Sequence, residues 1–322
     1  MMEHKFIVSS SPHIHQKNTV STIMLDVIIA LLPATIMGIY YFGIHAAMVV
    51  VTAIISCVCA EFLYQKLMNK PIQINDLSAV VTGLILGLNL PPSIPLWMVV
   101  VGSIFAIVIV KQLYGGIGKN FLNPALTARC FMLAAWAGAM TVFNEPNMGA
   151  DAISQATPLS ILKGVSSGTL PTVKAAFLGN IPGSIGETSA LMLMLGGLYL
   201  LVKKVINIRI PATYLVSFVI LTALFGKNQT GIDTVNFVVL ELFCGGIMFG
   251  AIFMATDYTT TPTTKIGQII FGLGCGLLTF VIRTFGGYPE GTSFAILLMN
   301  LLTPLIDRYT IPKSFGEVRK NA

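Results

Sequence analysis

Apolar residues fall in long continuous runs parted by short polar breaks, without the alternation of a half-buried strand. A helix needs about 20 apolar residues to cross the hydrocarbon core of a bilayer. Read at that length, the chain holds a first group of five segments, 22–43, 44–67, 77–90, 95–114 and 121–141. A second group of five follows at 186–203, 208–226, 235–256, 266–284 and 289–309. Between them lies one long polar loop, 142–185, and polar tails cover 1–21 and 310–322. The expected fold is an all-α integral membrane protein of about ten transmembrane helices, with the two groups of five as its organising units.

Composition narrows this picture. Of 322 residues, 55% are apolar and 10% charged, and the mean hydropathy is +0.82. A soluble domain would carry about 25% charge. Outer-membrane strands alternate apolar and polar side chains, so continuous apolar runs argue for helices. The net charge of +6 and pI of 9.1 would suggest a nucleic-acid partner in a soluble protein, but here the position of each charge matters more. An even number of spans puts both termini on one side. Fourteen of the nineteen Lys and Arg then share that side, whereas Lys163, Lys174, Lys227 and Arg283 fall opposite and Arg129 lies within a span. The asymmetry predicts cytoplasmic termini and an extracytoplasmic 142–185 loop. The polar first stretch, with Glu3, His4, Lys5 and Lys17, predicts a retained tail and no cleaved leader.

The two groups of five also resemble each other. Segment four ends in Lys111, Tyr114, Gly115 and Gly116, and segment nine in Arg283, Phe285, Gly286 and Gly287. Segment three is short and carries Gly83 and Gly87 before Pro91 and Pro92; segment eight carries Gly245, Gly246 and Gly250 before Asp257 and a threonine-rich stretch. An odd number of spans per group makes the second an inverted copy of the first. Gly- or Pro-interrupted spans at matching positions of inverted halves point to a central polar cavity.

Ionisable residues within spans are rare and invite functional readings. Asp26, Glu241 and Asp257 are candidates for an ion path, Asp257 with its following threonines being the most cation-like. Such residues also hold helices together. Glu61, Arg283 and Asp307 lie near span ends and are expected to snorkel to the interface. Five cysteines, at 57, 59, 130, 244 and 275, all fall in apolar segments and read as buried thiols. His4, His13, His15 and His45 have no partner at metal-ligand spacing. No P-loop, dinucleotide fingerprint or cysteine cluster is present, so nicotinamide and iron–sulfur chemistry is expected on other chains.

The loop holds Asp151-Ala152-Ile153-Ser154-Gln155-Ala156-Thr157-Pro158-Leu159. Physically this is a compact polar turn leading to a short amphipathic run, with small Ala156 leaving the Thr157 hydroxyl open and Pro158 stiffening the chain after it. Asp-x-x-Ser-x-Ala-Thr resembles the flavinylation motif recognised by the periplasmic FMN transferase, whose last threonine is esterified to the FMN phosphate. Taken with the ten segments and the stretch Gly115 to Ala125, the whole chain resembles the family that holds the D subunit of Rnf electron-transport complexes and the B subunit of the sodium-pumping NADH:quinone reductase. Gln155, where the reductase protein usually has Gly, and the lack of that protein's long N-terminal extension favour the Rnf side.

The resemblance implies a urea-transporter-like fold of two inverted five-helix repeats. It implies a covalent FMN on Thr157, with Asp151, Ser154 and Ala156 as recognition residues, and a second noncovalent flavin, often riboflavin. Asn120, Asn123 and Arg129 are expected at the FMN pocket. A bacterial inner-membrane complex that also contains the A, B, C, E and G subunits is implied, moving sodium ions or protons as electrons flow from ferredoxin to NAD+, with the FMN transferase needed for maturation. The competing reading is a stand-alone channel for a small polar solute, which the repeat and broken helices allow and which needs no flavinylation motif.

Overall fold

The computed structural model describes residues 19–146, 154–228 and 230–312. Asp151 of the expected motif lies outside the described residues, as do both tails beyond these limits. The architecture is all-helical apart from one two-residue strand pair.

Each predicted segment carries helix. The first two form α1, Val20–Leu67, which breaks at Gly43, where φ is 76° and the backbone leaves helical geometry. That break falls where the sequence divides the two segments. Then come α2, Ser78–Leu88; α3, Leu96–Gln112, whose second half has π geometry; α4, Pro124–Ala135; and the short α5, Ala137–Met140. After the loop follow α8, Ala190–Val202, and α9, Arg209–Phe225. Segment eight is split into α10, Thr234–Phe243, and α11, Ile247–Met254, bent by 61° across Cys244 to Gly246. The series ends with α12, Lys265–Phe285, and α13, Thr292–Thr310. The helices α1 and α12 are long and apolar enough to cross a membrane alone, and the bent pair makes a third such span.

Small residues set the helix spacing. A Cβ on Gly83 of α2 would stand 2.7 Å from the Ile54 Cα of α1, so only glycine permits this approach. Gly272 of α12 meets the backbone oxygen of Ile210 in α9 in the same way. The core between them holds Leu31, Leu86, Tyr214, Phe218, Phe249 and Phe271, all fully buried. Large apolar side chains such as Ile36, Ile44, Leu224 and Val202 point outward, as a lipid-facing surface requires.

The described parts of the 142–185 loop hold more regular structure than a polar turn. Phe143–Asn144, β1, pairs antiparallel with Ser154–Gln155, β2, matching Phe143 with Gln155 and Asn144 with Ser154. Two short helices follow, α6, Pro158–Leu162, and α7, Val173–Leu178. Thr157 caps α6: its Oγ1 accepts a hydrogen bond from the Ser160 backbone N–H at 3.3 Å, and Pro158 occupies the first helical position, where its missing N–H costs nothing. The loop is pinned to the bundle by Leu159 and Leu162, which pack with Phe237, Leu240 and Cys244 of the α10 region.

Two expectations about spans are corrected. Glu61 and Arg283 do not snorkel; their relative exposures are 1% and 4%. Each has found an opposite charge on a neighbouring helix, which outweighs the pull of the interface. Asp307 does stay near the surface, accepting from the Thr263 N–H at 3.1 Å. Among the cysteines, Cys57, Cys244 and Cys275 are buried, but Cys59 is exposed and Cys130 half-buried, because helical periodicity turns Cys59 away from the face that Cys57 buries. No group of ligands suited to a metal occurs among the described residues.

Candidate functional site

Two cavities lie at opposite ends of the bundle. The short helix α2 connects them: Ser78 at its start lines one and Asn89, just past its end, lines the other.

The larger, about 280 Å³, is roofed by the loop, with Gln155, Ala156, Thr157 and Ser160 on its wall. Thr157 is half-buried there. From the bundle, the wall receives Arg129 of α4, Glu187 and Thr188 before α8, Gly245 from the break in segment eight, and Glu290 and Ser293 at the head of α13. Arg129 is the electrostatic centre. One terminal nitrogen lies 2.6 Å from Glu290 Oε2 and 3.3 Å from Glu187 Oε1, and the other donates to Ser293 Oγ at 2.5 Å. Glu290 Oε1 accepts from the Gly246 backbone N–H at 2.5 Å. That N–H is freed by the helix break, so the discontinuity in segment eight directly supplies a donor to the cavity wall.

Behind this wall Arg283 donates to Glu241 Oε2 at 3.0 Å, to the Glu241 carbonyl at 2.5 Å and to the Cys244 carbonyl at 3.3 Å. It thereby ties α12 to the last turn and break of α10. Lys163, just past α6, donates to the carbonyls of Gly286 and Tyr288, fastening the loop to the α12–α13 turn. Partial burial pushes the Lys163 ammonium below its ordinary value, against the pull of Glu241.

Asn89 Oδ1 on this wall, like Glu187 Oε1 and Ser184 Oγ, has no hydrogen-bond partner among the described residues. Asn89 is fully buried; its Nδ2 donates to the Ile85 carbonyl at 2.8 Å and toward Met254 Sδ at 3.5 Å, leaving Oδ1 without a donor. Buried amide oxygens are normally satisfied, so an orphan facing a cavity marks a place for a ligand N–H or O–H.

The smaller cavity, about 90 Å³, lies at the end where α1, α2 and α4 begin, and is mostly apolar. Asn120 and Asn123 line it, together with Lys111, Asp257 and Thr259. Of the three residues expected at one FMN pocket, Arg129 lines the larger cavity with Thr157, whereas Asn120 and Asn123 line the smaller one. Asn120 and Asn123 precede α4, and Arg129 stands nearly two turns further along it, at about 1.5 Å per residue. Asn123 caps α4 through the Ala125 and Leu126 N–H groups, and its Nδ2 reaches the Met254 carbonyl at 3.4 Å. Asn120 donates to Thr259 Oγ1 at 3.0 Å. Asn89, Met254 and Asn123 thus form the partition between the two cavities.

The ion-path candidates are dispersed. Asp26 accepts from the Tyr199 hydroxyl at 2.7 Å and lies 3.6 Å from Lys203, joining α1 to α8. Glu241 is held by Arg283. Asp257 faces the smaller cavity, and three donors from its own turn, the N–H and hydroxyl of Thr259 and the hydroxyl of Thr260, engage its carboxylate. Sequence reasoning missed Glu187, Glu290 and Asn89. A faint signal was present for the acids: Glu187-Thr188-Ser189 and Glu290-Gly291-Thr292-Ser293 open the first and last segments of the second group in similar words.

A profile of the NQR2, RnfD, RnfE family matches residues 7–316. The chain is 48% identical to the D subunit of the Na(+)-translocating ferredoxin:NAD(+) oxidoreductase complex of Acetobacterium woodii, covering 100% of this chain and 99% of that one. It is 49% identical to the D subunit of the proton-translocating ferredoxin:NAD(+) oxidoreductase complex of Clostridium ljungdahlii, over 98% of this chain and 97% of the relative. The D subunit of the ion-translocating oxidoreductase complex of Shewanella amazonensis is 38% identical over 97% and 98% of the two chains. A profile match over nearly the whole length, with full-length relatives at this identity, means that the chain belongs to the NQR2, RnfD, RnfE family.

Proposed function

We propose that this chain is the D subunit, embedded in the membrane, of an ion-translocating ferredoxin:NAD+ oxidoreductase complex, and that it carries FMN esterified to Thr157 in the larger cavity. The single observation that carries the flavin reading is the position of Thr157: the motif threonine stands on the wall of a cavity of about 280 Å³. That volume is near the lower end of small-molecule sites, roughly 300–1,000 Å³. The residues fit the group. Asn89 offers an unpaired acceptor for a ligand N–H, and the wall is apolar elsewhere, with Leu133, Phe143 and Phe294.

When bound, the flavin would supply one- and two-electron carriage, which the side chains of this chain cannot. The chain's own residues supply the rest. The strand pair and Lys163 hold the loop over the cavity, Asn89 offers a fixed contact at its depth, and the Arg129 cluster sets its charge. Arg129 is already engaged by two carboxylates, so it is a structural counter-ion of the wall and no free cation for a phosphate.

The remaining parts of the reading concern the assembly. Ten spans in two inverted repeats of five, 22–141 and 186–309, with both termini in the cytoplasm and the loop outside an inner membrane, form our working arrangement. Support comes from the matched positions of the short α2 and the broken α10–α11 pair. The A, B, C, E and G subunits, and an FMN transferase that reads Asp151, Ser154 and Ala156, are the expected partners. A second, noncovalent flavin belongs to the same proposal. An ion path through this chain would begin from Asp257, which faces the smaller cavity. One relative is named sodium-translocating and the other proton-translocating, and the proposal covers both ions.

The test is in-gel flavin fluorescence of the denatured chain, co-expressed with an active FMN transferase. Thr157→Ala should abolish the fluorescent band while the chain still inserts; fluorescence retained in that variant overturns the acceptor assignment. A cysteine at exposed Gly168 should react with a membrane-impermeant thiol reagent added from outside, and protection would overturn the topology.

A further inference from the structure

We propose that Glu187 and Glu290 form a one-proton site on the wall of the Thr157 cavity, loaded from the adjoining aqueous phase as an electron enters the cavity and emptied as it leaves. The proposal rests on the flavin reading above, and its test separates the two.

Charge balance comes first. Two carboxylates face the single guanidinium of Arg129, at 2.6 and 3.3 Å. The other nearby guanidinium, Arg283, is spent on Glu241 and on the carbonyls of Glu241 and Cys244. At ion-pair distance these two carboxylates share one guanidinium, and the group is mostly removed from water: the side chains of Glu187, Arg129 and Glu290 are 4%, 11% and 19% exposed. A buried charge without a counter-ion is costly, and the ordinary remedy is to bind a proton.

The two acids are also close enough to share one. A Cβ placed on Gly246 would press against both Glu290 Oε1 and Glu187 Oε1, so these oxygens lie within about 5 Å of each other. Carboxylates at such separations do not both stay ionised readily. Their roles differ. Both oxygens of Glu290 are engaged, one by Arg129 and one by the Gly246 N–H, whereas Glu187 Oε1 accepts no hydrogen bond among the described residues. Glu187 is thus the group that gains the O–H bond. A proton needs only that one oxygen, while hard metal cations gather several oxygen ligands, and here the Arg129 guanidinium stands inside the cluster.

Beyond Arg129, the pair is faced by Arg283 of α12, whose charge reaches both acids, Cys130 beside Arg129, Ser184 in the turn before Glu187, Ser293 of α13, and Tyr288, whose carbonyl holds Lys163. None supplies a second cation at ion-pair distance to Glu187. The step balances simply. Solvent would give one proton to a Glu187 carboxylate oxygen as the redox reaction of the complex adds one electron to the cavity, and that proton would return to solvent when the electron passes to the acceptor of the complex.

The experiment uses the purified complex with its covalent flavin, verified by fluorescence of the denatured chain. Infrared difference spectra between oxidised and reduced complex should show a carboxylic-acid band gained on reduction, shifted in D2O and absent from Glu187→Gln. The midpoint potential of the flavin should depend on pH more steeply in wild type than in that variant, by up to about 59 mV per pH unit for a one-electron step. If Glu187→Gln does not assemble, Gly246→Ala, which wedges the two oxygens apart, should give the same loss of slope. Wild-type spectra without a carboxyl band, equal slopes in flavin-loaded wild type and variant, or a potential that follows sodium concentration and ignores pH would each overturn the proposal. Absence of covalent flavin from wild type would instead overturn the reading it rests on.

Discussion

At the end of the bundle where α2 begins, Lys111 lies 2.8 Å from Glu61 and 2.6 Å from Ser78 Oγ, while Gln112 donates to Glu61 at 2.6 Å. At the end where α13 begins, Arg129 faces two carboxylates, Glu187 has an oxygen without a donor, and the Asn89 carbonyl is orphaned. Both ends are built from similar parts: a short or broken helix, a cation from a neighbouring span and acids drawn into the interior. At the first, Lys111 is matched by Glu61, the other acid, Asp257, is satisfied by three donors of its own turn, and the cavity is small. At the second, acids outnumber cations and the cavity is about three times larger. Buried polar groups are normally paired, so the unfinished pairing at the Thr157 end is where a ligand and a moving charge belong.

The largest expected effect breaks the finished end. Lys111→Met leaves Glu61 buried without its counter-ion and should cost about 3–5 kcal/mol, read as loss of folded protein in a detergent thermal-stability assay. Adding Glu61→Leu should return most of that loss, because an apolar pair replaces an ion pair at little net cost. At the unfinished end, Arg129→Met should cost less, about 1–3 kcal/mol, since Glu290 reaches the cavity and its partner can take up a proton. An equal or larger loss at Arg129 would erase the contrast between the ends. The smallest effect belongs to the loop: Lys163→Ala removes two hydrogen bonds to the α12–α13 turn and should cost about 1 kcal/mol in the same assay while raising protease sensitivity of the loop.

Much of the scaffold was legible in the chain. Runs of apolar length located every helix outside the 142–185 loop, whose two short helices they missed, and the boundary at 43/44 coincides with the left-handed Gly43. The interrupted segments three and eight became α2, which joins the cavities, and the α10–α11 break, whose freed N–H binds Glu290. The motif singled out Thr157, which lines the larger cavity, because a local sequence carries its own signature. Interactions between distant positions had none. Glu187 and Glu290 meet only because α8 and α13 start at the same end, and Glu61 finds Lys111 across 50 residues. Reading Glu61 and Arg283 as interfacial failed for that reason: proximity to a span end is visible in a sequence, but the partner that makes burial tolerable is not. The grouping of Asn120 and Asn123 with Thr157 had a remedy in the sequence itself, since segment five runs away from the end where it starts and the loop follows its far end.

The central claim is that the larger cavity is a flavin site built around Thr157. Its most direct test is peptide mass mapping of the chain matured with its FMN transferase. The account predicts that the peptide containing Thr157 carries the added mass of an FMN phosphoester, with fragmentation placing it on that residue. An unmodified Thr157 peptide, from a preparation in which the transferase modifies a control substrate, would contradict it.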